Sequence, residues 1–129
     1  MKIIEAINRI DALKHNTYSQ NEKVYWLSSL DAMIKRQIID THEADDRYFM
    51  ISGIPFPGYH DMTPVDTELL VPAPFDEIYL RWLEAQIDYA NGEYDKYNNS
   101  IAMYQACYDA YANDYNRTHM PKGRKIKFF

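Results

Sequence analysis

Apolar residues recur at helical intervals over most of the chain, and the breaks between the runs are sharp. Ile3, Ile4, Ile7, Ile10 and Leu13 sit three or four residues apart, which predicts a short amphipathic helix over residues 2–14. The stretch HNTYSQNE interrupts it, and Ser19 followed by Glu22 is a capping box that starts a second helix. Val24, Leu27, Leu30, Ile34 and Ile38 form its stripe, with Trp26 and Met33 alongside, and the pattern runs to about His42. A third helix is predicted from Pro74, which suits a first helical turn, with Asp76 and Glu77 favouring its positive end. Phe75, Ile78, Tyr79, Trp82, Leu83, Ile87 and Ala90 cover most of its circumference, leaving a narrow polar stripe of Glu77, Arg81, Glu84 and Asp88. Asn91-Gly92 ends it, because glycine takes the left-handed cap without a Cβ penalty.

The fourth helix, predicted over Glu93 to Asn116, has the strongest pattern. Tyr94, Tyr97, Ile101, Tyr104, Tyr108, Tyr111 and Tyr115 follow alternating spacings of three and four, a heptad seam written mostly in tyrosine. Ala102, Ala106 and Ala110 form a ridge of small residues beside it. A tyrosine buries a large ring but needs a partner for its hydroxyl, so this seam fits either the protein's own core or an interface with a neighbour.

Between Glu43 and Ala73 the periodicity dissolves. That stretch holds four of the six prolines and two of the four glycines, and Tyr48–Ile51 is its one short strand-like run. Some 30 irregular residues are unusual in a compact domain and imply a use, here an extended loop or hairpin arm. The fold class that follows is all-α: a single bundle of about four helices over residues 1–116, a long loop, and an extended tail over 117–129.

Composition changes the picture mainly through charge. The 129 residues carry a net −5, but the last acidic residue is Asp114, and Arg117, Lys122, Arg124, Lys125 and Lys127 all follow it. Up to residue 114 there are nine basic against 19 acidic residues, a net of −10, which argues against a nucleic-acid-binding body. A single cysteine, Cys107, excludes an internal disulfide framework and suits a reducing compartment. The opening MKIIEAINRI lacks an apolar signal core, and no apolar run approaches membrane-spanning length. The expectation is an intracellular protein that neither enters a membrane nor binds nucleic acid specifically.

Candidate chemistry is sparse. His42, Glu43, Asp45, Asp46, His60 and Asp61 are metal-ligand types, yet they lack the spacing of a zinc helix or a calcium loop. No nucleophile elbow, phosphate loop or dinucleotide fingerprint is present. The expectation is a non-enzymatic protein without cofactor or metal. The tail is more informative: after Gly123, Lys125-Ile126-Lys127-Phe128 alternate and Phe129 closes the chain. Such a segment either frays or adds as a strand to a partner's sheet, with Ile126, Phe128 and Phe129 as apolar anchors and the cations steering it to an acidic protein surface.

The run VDTELLVPAPFDEIYLRWLEAQIDYANGEYDKYNNSIAMYQACYDAYANDYNRTHMPKG, residues 65–123, resembles small proteins of tailed-phage and prophage morphogenesis, and SQNEKVYWLSSLDAMI looks related too. The architecture resembles the head–tail connector family, also called adaptor or head-completion proteins. That resemblance implies a helical bundle assembling as a ring beneath the portal, in the virion neck, after assembly in the bacterial host. Its partners would be the portal protein, neighbouring connector subunits and a stopper or tail protein, reached through residues 43–73 and 117–129. The alternative from the same acidic body is a small cytosolic protein-binding or regulatory module of a prophage.

Overall fold

A computed structural model describes residues 1–41 and 56–118. Four helices account for most of it: α1 (Ile3–Leu13), α2 (Gln20–Gln37), α3 (Ile78–Ala90) and α4 (Tyr94–Thr118). Single 3-10 turns, Ile39–Thr41 and Phe75–Glu77, follow α2 and precede α3. The protein is therefore an all-α bundle, and among the described residues the only β pairing is one isolated antiparallel bridge, Lys2 to Glu68. None of these helices is long and apolar enough to cross a membrane.

The apolar spacing is what assembles the bundle. Ile3, Ile7 and Ile10 of α1 meet Val24, Leu27, Leu30 and Ile34 of α2 and Ile78, Leu83 and Ile87 of α3 in one buried cluster. Each such side chain contributes about 1.5–3 kcal/mol by leaving water. Helix α3 packs against all three other helices, most extensively against α4, in keeping with its nearly continuous apolar surface. Leu13 departs from the expected stripe and lies exposed at the end of α1.

The caps follow local chemistry. Ser19 Oγ accepts from the Glu22 amide at 3.1 Å, opening α2. At the other end of α3, the Glu93 amide reaches Asp88 O at 2.9 Å and the Gly92 amide reaches Tyr89 O at 3.0 Å, the paired bonds of a Schellman ending. Gly92 adopts φ +74 there, a conformation costly for any residue with a Cβ. Helix α4 runs two residues beyond the expected Asn116, its last turn closed by Thr118 Oγ1 donating to Asp114 O at 3.0 Å.

Residues 56–74 form no regular element, yet they lie against the body as a strap. Gly58 (φ +79) passes so close to α2 that a Cβ would sit 3.2 Å from Ser28 Oγ, and the next amide, of Tyr59, donates to that same oxygen at 2.9 Å. The strap then turns and runs beside the start of α1. Ile4 N donates to Val65 O at 2.9 Å, Ile3 N to Thr67 O at 3.0 Å, and Leu69 N to Met1 O at 2.9 Å. The first amides of a helix have no partner within it, so the strap serves as the cap of α1. Leu69 and Val71 anchor it in the core. The expected arm thus splits: residues 56–73 belong to the protein's own body, and the strand-like Tyr48–Ile51 lies outside the described residues.

Candidate functional site

The tyrosine seam divides along α4. Tyr104, Tyr111 and Tyr115 are buried, their rings set at a tilt or edge-on to Trp82, Phe75 and one another at centroid distances of 4.9–5.9 Å. These three belong to the protein's own core: Trp82 of α3 meets Tyr104, Phe75 of the turn before α3 meets Tyr111, and Tyr115 packs on Tyr111. Tyr108 is half-buried, and its hydroxyl donates to Gln37 Oε1 at 2.5 Å. Burial raises the Tyr104 and Tyr108 phenols above their ordinary range. Tyr94 and Tyr97 instead gather with Tyr89 at the α3–α4 turn, at centroid distances of 5.7 and 5.2 Å, and Tyr94 stays exposed.

Of the tail residues singled out by sequence, Arg117 lies on the last turn of α4, exposed and 3.3 Å from Asp114. Lys122, Arg124, Lys125, Ile126, Lys127, Phe128 and Phe129 lie outside the described residues, as do His42, Glu43, Asp45 and Asp46. His60 and Asp61 are exposed neighbours 4.0 Å apart. Among the described residues, no group of three histidine, cysteine, aspartate or glutamate side chains is placed to hold a metal ion. Cys107 is half-buried on α4, and desolvation raises its thiol, which disfavours the reactive thiolate.

Two buried carboxylates were not singled out as sites by the sequence reasoning. Asp31, on α2, is completely buried. Tyr59 OH donates to its Oδ2 at 2.5 Å, Leu70 N to the same oxygen at 3.1 Å, and Tyr79 OH to Oδ1 at 2.6 Å. Tyr79 OH in turn accepts from Val71 N at 2.7 Å. One carboxylate thereby ties α2, α3 and both ends of the strap. Burial pushes its pKa up to about 6, against the opposing pull of its three donors, and burial together with the nearby negative charge raises both phenols. The available signal was its position: Asp31 falls four residues after Leu27 and three before Ile34, on the apolar stripe itself.

Asp88 is the second. Expected on the polar stripe of α3, it is fully buried, because Lys14 and Ser100 meet it there. Lys14 Nζ lies 2.7 Å from Oδ1, and Ser100 Oγ donates to Oδ2 at 2.5 Å. The three residues edge an open cleft of about 240 Å³. A serine, a carboxylate and an amine invite a catalytic reading, but the amine sits on the carboxylate. What the contacts build is a tie between the end of α1, α3 and α4.

A second cleft, of about 270 Å³, opens between α2 and α4. Trp82, Tyr104, Tyr108 and Met33 line it together with Gln37 and Gln105. Rings, a thioether and amides suit an inserted apolar or aromatic side chain. No protein-family model matches the chain, and neither a curated protein nor a solved structure shows significant similarity to it.

Proposed function

We propose that this chain is a non-enzymatic structural protein of a tailed phage or prophage, a head–tail connector that docks on a portal ring through its C-terminal tail. The observation that carries the reading is the chain's charge and element order. A helical body of net −10 ends in α4, and the last turn of that helix leads into an acid-free segment with four further cations and a closing Ile-Lys-Phe-Phe. An extended segment of this kind gains backbone hydrogen bonds from a sheet edge and specificity from alternate side chains. The wording of residues 65–123 supports the same setting. Residues 43–55 are the other segment through which such a connector would reach a neighbour, and the strap narrows the proposed arm to them.

The test is binding of the full-length chain to the purified portal ring of the same phage, compared with a Phe128→Ala/Phe129→Ala variant. Loss of at least about tenfold in affinity is expected, since two anchoring rings are worth more than 1.4 kcal/mol. Equal binding by the two proteins rules out docking through the tail. Mass spectrometry of purified particles is expected to find the chain in mature virions; its absence there favours the regulatory module.

A further inference from the structure

We propose that in the free protein the C-terminal segment folds back along α4 and seats Phe128 in the cleft between α2 and α4, so that the protein's own body holds the tail until a partner displaces it. Among the described residues, α2 and α4 both pack on α3 but their backbones do not meet. The bond from Tyr108 to Gln37 spans the furrow between them, and Met33, Trp82 and Tyr104 line it as well. The cleft holds about 270 Å³. That is below the range of small-molecule sites, about 300–1,000 Å³, and suits one inserted ring.

The reach of the chain matches. Eleven residues follow Thr118, the last residue of α4. Pro121 cannot continue a helix and Gly123 permits a reversal, which brings Gly123 level with the helix end. Five extended residues from Gly123 to Phe128 cover about 17 Å. Ten helical residues from Thr118 back to Tyr108 cover about 15 Å. Phe128 therefore arrives at the cleft. By the same count Ile126 comes level with Ala112 and Lys127 with Asp109, each within about 1 Å.

The side chains match as well. Gln105 and Tyr108 mark the flank of α4 that faces α2, and Ala112, four residues beyond Tyr108, continues it half-buried. Alternation sets Ile126 and Phe128 on one side of the extended segment, Ile126 over that alanine and Phe128 among the rings. Lys125 and Lys127 point the other way, where exposed Asp109 and Asn116 form the outer edge of α4. Arg36 stands exposed on the α2 rim, so charge adds little net attraction. Asp109 decides which rim Lys127 leans on, and the rings supply the hold. Phe128, an anchor for a partner's surface, is thereby covered until that partner outcompetes the groove. A portal enters only as what displaces the tail; the seating is a property of the free chain and does not rest on the connector reading.

The experiment uses the full chain without a partner, with Cys107→Ala as background. Lys127→Cys is combined either with Asp109→Cys, where a disulfide takes the place of the ion pair, or with Ala110→Cys, at nearly the same level but turned away from α2. Under mild oxidation the first pair should close within one chain at least about tenfold faster than the second, because a seated tail presents residue 127 to one flank only. Both α4 positions are exposed, and circular dichroism should show native helicity in each variant. A second measurement leaves α4 untouched. The indole N–H of Trp82, whose ring lines the cleft, should shift in the NMR spectrum of Phe128→Ala, equally at low and high protein concentration. Equal closure by the two pairs overturns the proposal, as do disulfides that form between chains instead of within one. A Trp82 signal that Phe128→Ala does not move overturns it as well.

Discussion

Asp31 and Asp88 are both carboxylates removed from water in a protein of this size, and they are satisfied in opposite ways. Asp88 has a cation, Lys14, at 2.7 Å and a hydroxyl at 2.5 Å. Asp31 is held by two phenols and a backbone amide. A cation offsets the cost of burying charge directly; neutral donors do so only in part. Asp88 joins three helices that already pack on one another. Asp31 holds down a segment with no helical hydrogen bonds of its own, adding to the strap's backbone bonds to the start of α1, the Tyr59–Ser28 bond on α2 and the burial of Leu69 and Val71.

That contrast can be broken at either end. The largest effect is expected from Asp31→Ala, which orphans buried donors on Tyr59, Tyr79 and Leu70. At about 1–3 kcal/mol each, reduced by relief of the buried charge, the net loss should be about 3–4 kcal/mol in urea unfolding. Hydrogen exchange should localise the damage to the amides of residues 59–71. Protection lost evenly through α1, α3 and α4 would show that the strap is not what Asp31 holds.

Next comes pH. The Asp31 carboxyl titrates near 3.8 when unfolded and about 6 when folded, so between those values the folded state binds more protons. Its contribution to stability is fully present below pH 3.8 and is lost as pH rises through about 6. The stability of the wild type relative to Asp31→Asn should therefore fall by about 2.5 kcal/mol from pH 4 to pH 7. A flat or rising difference would mean the phenols stabilise the charged form fully.

The smallest of the three is Lys14→Met, which leaves Asp88 with Ser100 alone. Lys14 is 24% exposed and borders a cleft that admits solvent, so the loss should be about 2 kcal/mol, below the range for breaking a fully buried pair. Chemical denaturation measures it, and protection of the strap should be unchanged. If this variant instead frees residues 59–71, the two carboxylates act as one network and the comparison fails.

Much of the bundle was legible because helices are local. The spacing of Val24, Leu27, Leu30 and Ile34, the Ser19–Glu22 cap and the Asn91-Gly92 stop each act within a few residues, and all appear where expected. Less of the site was legible. Asp88 looks polar on a helical wheel, and only the arrival of Lys14 and Ser100 from other elements makes its burial tolerable. The seam reads as one stripe from Tyr94 to Tyr115, yet α3 covers its lower half and leaves Tyr94 outside.

The sequence by itself determined four helices, their caps, an irregular stretch and a charge reversal near residue 114, since propensity, period and charge are properties of short windows. Only the tertiary structure decided that residues 56–74 cap α1 and close over α2, and that Asp31 is their tie. Those outcomes depend on which backbone amides and side chains meet across some 30 to 70 residues of chain. A pattern with a period of three or four residues carries no record of such meetings.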